Sequence, residues 1–163
     1  MAIEFRPAAA QDVAQFIEWR YEPPYDVYSL DMKPAEAEQY FLDPSVNCHS
    51  ILADGDLFGY CTFGEDARVP GGDYAPPALD IGAAMRPDAT GQGRGRDFVA
   101  AIVDFATAAF SPDRLRVSIA SYNERAIRVW TANGFEELGR FDAPSEILGS
   151  TRFVLMGRAA QEG

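Results

Sequence analysis

The sequence predicts an α+β domain whose elements run β-α-α-β-β-β-α-β-α-β-β. Three observations carry that reading. Apolar patterns of strand and helix period follow one another along the chain in that order. A glycine-rich turn, Thr90-Gly91-Gln92-Gly93-Arg94-Gly95-Arg96, joins the fourth strand to the third helix. The chain has 163 residues, 47% of them apolar, which suits one domain over residues 1–163 with a core of its own.

Each element has a local reason. Ile3 and Phe5 alternate with Glu4 and Arg6, a short strand. Asp12 can cap or charge the start of a helix whose apolar face is Val13, Phe16, Ile17 and Tyr21. Pro23 and Pro24 forbid helix next, and Tyr21, Tyr25 and Tyr28 crowd a loop. Pro34 suits the first turn of a second helix running to about Asp43, with Ala37, Tyr40 and Phe41 inward. A hairpin follows, Ser50 to Ala53 and Leu57 to Phe63 around Asp54-Gly55-Asp56. Residues 64–77 read as a long Pro/Gly loop, and Ala78 to Met85 as a strand with Gly82 a bulge or close-approach point. Phe98, Ile102, Phe105 or Ala106, and Phe110 mark the third helix. Leu115 to Ile119 alternates cleanly. Asn123 caps a fourth helix with Ala126, Ile127 and Trp130, stopping at Asn133-Gly134. Phe135 to Phe141 and Thr151 to Met156 are the last two strands.

Composition excludes several classes. Fourteen basic against 25 acidic residues leave a net charge of −11. Such a surface repels nucleic acid and anionic membranes and favours cationic partners. Cys48 and Cys61 share no metal-ligand spacing, and His49, the single histidine, completes no cluster, so buried thiols and no metal are expected. The first residues lack the apolar core of a signal peptide, and no apolar run approaches ~20 residues. The expectation is a soluble cytoplasmic protein.

The glycine turn has two readings: a solvated, flexible turn, or a backbone that bends tightly and bares its N–H groups to an anion. Arg94 and Arg96 supply local positive charge on an acidic protein. A dinucleotide fold would want Gly-x-Gly-x-x-Gly after a first strand. Here Gly91-x-Gly93-x-x-Arg96 lacks the last glycine and sits mid-chain.

The segment Ile81 to Ala106, "IGAAMRPDATGQGRGRDFVAAIVDFA", and the segment Asn123 to Phe135, "NERAIRVWTANGF", stand in this order with a strand between. Together they resemble the two signature segments of the GNAT superfamily of acyl-CoA-dependent N-acyltransferases. Gly93 and Gly95 fill the small positions of Arg/Gln-x-x-Gly-x-Gly/Ala, with Thr90 where Arg or Gln is usual. Asn123, Ala126, Gly134 and Phe135 match the second segment, with Trp130 where tyrosine is usual. The start of the chain and Gly59 are also family-like.

The resemblance implies a three-layer α/β/α arrangement around a mixed, mostly antiparallel seven-stranded sheet flanked by about four helices. It implies acetyl-CoA as co-substrate and a primary amine of a small molecule or peptide as acceptor, joined by direct transfer in a ternary complex. Gln92, Gly93, Arg94, Gly95 and Arg96 would hold the pyrophosphate. Backbone groups of Ala83, Ala84 and Met85 would meet the pantetheine arm and the acyl carbonyl, with Asn123 and Trp130 also cofactor-facing. Asp80 is placed near where the family often sets a carboxylate base; its other reading is an exposed strand residue or an ion-pair partner. Indole N–H has no usable acidity, so Trp130 leaves three options. The thiolate leaves unaided, or Tyr122 or another tyrosine protonates it, or the chain is a CoA-binding regulatory module with little turnover. Trp130 is also at core spacing. A domain that keeps the fold and binds no ligand is a further alternative, which the intact glycine loop argues against. Tyr21, Glu22, Tyr25 and Tyr28 would line the acceptor site, with Asp26 or Glu22 attracting an ammonium; the tyrosines alternatively pack the domain edge. A homodimer is compatible with the resemblance.

Overall fold

The alternation at the start of the chain builds β1 (Ile3–Pro7) in a computed structural model that describes residues 2–144 and 151–161. Next come α1 (Ala10–Phe16) and α2 (Pro34–Phe41). Between them Tyr25–Tyr28 forms a turn of 3-10 helix directly behind Pro23-Pro24. The prolines therefore exclude α-helix there but not a short tighter turn. Pro34 occupies the first turn of α2, where its missing N–H has no intrahelical partner to lose. Ala37 and Phe41 are buried, but Tyr40, expected inward, is exposed. It precedes Phe41 by one residue, which puts it about 100° round the helix.

The hairpin is β2 (His49–Ala53) and β3 (Asp56–Phe63). Asp54 and Gly55 both have positive φ, 51° and 88°, the conformation that a two-residue turn needs to follow the twist of its strands. Ile51 faces Gly59 whereas Leu52 faces Leu57, so Phe58 is the extra residue of a bulge. Then follow β4 (Leu79–Met85), α3 (Gly95–Phe110), β5 (Arg114–Ala120), α4 (Glu124–Ala132), β6 (Glu136–Asp142) and β7 (Arg152–Ala159). The strands hydrogen-bond in the order β1-β2-β3-β4-β5-β7-β6. The β4–β5 pair is parallel; β1–β2, β2–β3, β5–β7 and β6–β7 are antiparallel. The described residues thus form a mixed seven-stranded sheet with four α-helices, the architecture expected.

The chain divides into two compact units. Residues 1–66 and 83–90 form the first. Its core joins Val13 and Phe16 of α1, and Ile17 just after it, to Ala37 and Phe41 of α2 and to Val46, Cys48 and Leu57. Phe16 stacks on Tyr60 at 4.0 Å and meets Phe41 edge-on at 5.0 Å. Both cysteines are buried free thiols, as expected. Burial pushes Cys48 up to about 12 and raises Cys61 as well. Residues 67–82 and 91–163 form the second unit. Phe98, Val99, Ile102, Val103 and Ala106 of α3 are buried there, with Leu115, Val117 and Ile119 of β5 and Val154 to Met156 of β7. Phe110, on the expected apolar stripe, is exposed at the last turn of α3. β4 contributes to both units, Leu79–Gly82 to the second and Ala83–Met85 to the first.

Candidate functional site

The glycine turn of the second unit is built by three glycines with different tasks. Gly91 and Gly93 have φ of +73° and +76°, a left-handed backbone that side chains disfavour. A Cβ at Gly93 would meet nothing within 4 Å, so the constraint there is the backbone turn alone. A Cβ at Gly91 would lie 3.1 Å from Arg125 Nη1, which puts a guanidinium of α4 against the turn. Gly95 begins α3, and a Cβ there would lie 3.1 Å from Val129 Cγ2; its task is close approach to α4. Asn133 ties the same place from the other side, donating from Nδ2 to Arg96 O at 3.3 Å.

α3 thus begins at Gly95, behind Arg94, which makes no side-chain capping bond. The first N–H groups of any α-helix lack intrahelical acceptors and carry the positive end of the macrodipole. Arg94 and Arg96 are exposed beside them, and Asp97 in the first turn is the local counter-charge. Thr90, standing where the family motif has Arg or Gln, donates its hydroxyl to Pro87 O at 2.7 Å and closes the short turn before the glycines. Arg125 was not singled out in the sequence; the signal for it is its position two residues after Asn123, on the first turn of the helix next to the glycines.

α4 starts differently. Asn123 Oδ1 accepts from Ala126 N at 3.1 Å, an N-cap. The expected cofactor-facing residue is therefore occupied, through this oxygen, in closing its own helix. Gly134, with φ +88°, ends the helix as expected. Trp130 is buried and meets Phe135 edge-on at 4.9 Å. This is the core packing that its helical spacing from Ala126 and Ile127 also offered. Tyr122 is partly buried, its hydroxyl oxygen shielded from solvent.

Asp80 is held most tightly. It is 2% exposed and accepts from Arg116 Nε at 2.6 Å and Nη2 at 3.0 Å, and from Arg68 Nε at 2.8 Å. Both carboxylate oxygens are held by guanidinium donors. Arg116, equally buried at 2%, also donates to Pro76 O at 2.7 Å and lies 5.0 Å from the centre of the Tyr74 ring. The Tyr74 hydroxyl shares a 2.6 Å hydrogen bond with Ser118 Oγ. Residues 68–76 of the expected Pro/Gly loop thus form a strap over Arg116. A carboxylate so paired is the ion-pair partner of the alternative reading.

Asp80 stands where β4 pairs with β5: Leu79, Asp80 and Ile81 match Leu115, Arg116 and Val117. In the first unit, Ala83 is exposed and Ala84 and Met85 are half-buried. The Met85 carbonyl is not open: it accepts from Tyr21 Oη at 2.7 Å. Burial raises the Tyr21 phenol well above its ordinary value, so it stays a donor at any physiological pH. Tyr25 and Tyr28 are half-buried in the 3-10 turn, and Glu22 and Asp26 are exposed. His49 Nδ1 lies 3.1 Å from Asn47 O at the hairpin base. Among the described residues no group of three or more His, Cys, Asp or Glu could hold a metal ion, and no helix is long and apolar enough to cross a membrane.

The family model described as an acetyltransferase (GNAT) domain matches residues 2–136. The chain belongs to the GNAT acetyltransferase family. No curated protein matches it in sequence. Among solved structures it is similar to a chimeric spermidine N-acetyltransferase from Vibrio cholerae and hSSAT, with TM-score 0.77 and 16% identity over 97% of this chain and 95% of that one. It is also similar to the aminoglycoside acetyltransferase AAC(6')-Ib in complex with coenzyme A, with TM-score 0.72 and 20% identity over 97% and 95% of the two chains. A GNAT-family acetyltransferase from Bacillus anthracis gives TM-score 0.74 and 12% identity over 98% and 96%. At these identities the structural likeness concerns the fold.

Proposed function

We propose that the chain transfers an acetyl group from acetyl-CoA to a primary amine of a small molecule or peptide, directly within a ternary complex. One observation carries the reading: two left-handed glycines and a close-packed third lead into a helix start that its own N-cap side chain does not close. That is a cradle for a pyrophosphate, which needs several donors and a backbone without Cβ atoms in the way. Gln92 to Arg96 supply the amides, and Arg94 and Arg96 add charge. Acetyl-CoA supplies an activated thioester.

The chain's own part is to bind and align. The backbone of Ala83 and Ala84 offers N–H groups to the pantetheine arm and the acyl carbonyl. The segment from Tyr21 to Tyr28 meets the acceptor, and exposed Glu22 and Asp26 attract its ammonium form. A net charge of −11 favours a cationic acceptor. Spermidine and kanamycin, which appear in the names of structural neighbours, are polycationic amines. With Asp80 locked by two arginines, solvent takes the amine's proton. A thiol pKa near ~8.5 lets the thiolate leave without a positioned acid. Tyr122 is the tyrosine that would otherwise supply the proton, and Tyr122→Phe is expected to keep most activity. Trp130 packs in the core, and the thiol-release test below separates an enzyme from a CoA-binding module without turnover.

The test is calorimetry with CoA, followed by thiol release from acetyl-CoA over a panel of polyamines, aminoglycosides and peptides with free N-termini. Saturable CoA binding and amine-dependent release are expected. Binding with no release by any amine class would point to the regulatory module instead, and absent binding would overturn both.

A further inference from the structure

The segment between α1 and α2 is fastened at one point to the end of β4, within the first unit. Tyr21 N donates to Ser29 Oγ at 3.0 Å, Tyr25 N to Glu22 O at 2.8 Å and Ser29 N to Asp26 O at 3.0 Å, so residues 21–29 close on themselves. From this closed loop the Tyr21 hydroxyl reaches Met85 O at 2.7 Å, across 64 positions of sequence. The amide on the other side of the same peptide group, Arg86 N–H, donates to Phe58 O of β3 at 2.8 Å. Phenol, peptide and strand carbonyl therefore form one chain of hydrogen bonds. Accepting at its oxygen polarises a peptide and strengthens donation from its nitrogen, so the two bonds reinforce each other.

We propose that Tyr21 is a positioning residue: through the Met85–Arg86 peptide it registers the acceptor loop against the acyl-facing end of β4. This rests on the roles just given to Ala83, Ala84 and the 21–28 segment. A shift of the loop relative to β4 displaces the amine from the thioester carbon, and alignment at that distance is steep in rate. A phenol serves because it is rigid, reaches a strand carbonyl from a loop, and remains protonated when buried. Tyr21 is thus not an acceptor-lining hydroxyl; its oxygen is committed to the fold.

The experiment compares wild type with Tyr21→Phe, which removes one oxygen, by hydrogen exchange with and without CoA and by steady-state kinetics. CoA is expected to slow exchange across residues 21–29 in wild type. In Tyr21→Phe, CoA affinity is expected to stay within about twofold while that protection is lost. The kcat/KM for the amine is expected to fall about fivefold, through a lower kcat, a higher KM for the amine or both, with the KM for acetyl-CoA unchanged, as for one neutral hydrogen bond. Tyr40→Phe, which removes a phenol oxygen from an exposed residue outside the segment, is the control and is expected to retain the protection. Protection persisting in Tyr21→Phe overturns the proposal, as does an equal rise in both KM values. If wild type binds CoA but acetylates no amine, the functional reading fails and the exchange result alone decides Tyr21. If wild type binds no CoA, both fail.

Discussion

Two helices of the second unit begin in opposite ways. α4 starts behind Asn123, whose side chain accepts the Ala126 N–H. α3 starts behind Arg94 with no side-chain cap, after two glycines in left-handed conformation. In the first unit α1 is of the closed kind, since Asp12 Oδ2 accepts from Ala9 N at 3.0 Å and from Ser50 Oγ at 2.7 Å. The difference teaches how this fold divides its polar groups. At the starts of α1 and α4 and at the Asp80 carboxylate the chain's own side chains close the polar groups; α2, behind Lys33, has no side-chain cap but carries Pro34, which has no N–H, in its first turn. Asp80, between Arg116 and Arg68, is the extreme case. The start of α3 is the one we read as answered by a ligand.

The largest effect should come from opening the most closed group. Asp80→Asn leaves the Arg116 guanidinium buried beside a neutral amide, and breaking a buried pair costs about 3–5 kcal/mol. Chemical denaturation should show that loss, while the shape of the rate–pH profile stays that of wild type. A lost acidic limb in the variant would break the comparison, because Asp80 would then be a working base.

Next comes Gly93→Glu, which puts a side chain and a negative charge at the open start. Charge-assisted hydrogen bonds contribute about 1.5–3 kcal/mol each, so CoA affinity should fall more than about tenfold in calorimetry. Gly93→Ala separates the strain of a side chain at φ +76°, roughly 1–2 kcal/mol in stability, from the charge. Undiminished binding in a folded Gly93→Glu protein removes the pyrophosphate from this turn.

Asn123→Ala opens the start of α4 and should cost about 1 kcal/mol of stability. If Asn123 serves mainly as a cap, CoA affinity should change less than stability does; a larger change in affinity would restore it to the cofactor site.

The smallest effect is a pH dependence that distinguishes the two caps. Burial pushes the Asp12 carboxyl up, but the Ala9 N–H, the Ser50 hydroxyl and the Arg6 guanidinium outweigh it and hold the native value below the ordinary one. A lowered native value means stability that is fully present above the unfolded carboxylate range, near pH 4, and lost as pH falls through the native value. Melting curves of wild type and Asp12→Asn should therefore converge on acidification below about pH 4. Asn123→Ala should keep its offset from wild type over the same range, because an amide cap does not titrate.

Most of the architecture was legible because it is written in local pattern. Element order followed from apolar periodicity, and the hairpin turn, the Asn123 cap and the Gly134 stop from residues whose backbone preferences act over a few positions. The glycine turn was legible as a motif, and its three glycines differ only once α4 is alongside. Tyr40 and Phe110 went astray because both sit at the margin of an apolar stripe, where one position decides between core and solvent.

What the sequence determined by itself is what depends on neighbours along the chain: the order of elements, their caps and turns, and the family signature carried by two short segments. What only the tertiary structure decided is where distant polar groups meet. Asp80 and Arg116 lie 36 positions apart, and nothing in either strand alone marks the aspartate as one half of a buried pair. Tyr21 reads as one of three loop tyrosines until its hydroxyl is found on Met85 O. Trp130 reads as a departure from a motif until it is found on Phe135. A side chain's chemistry is set by what desolvates it and what it bonds, and for these residues both come from segments that the chain brings together only on folding.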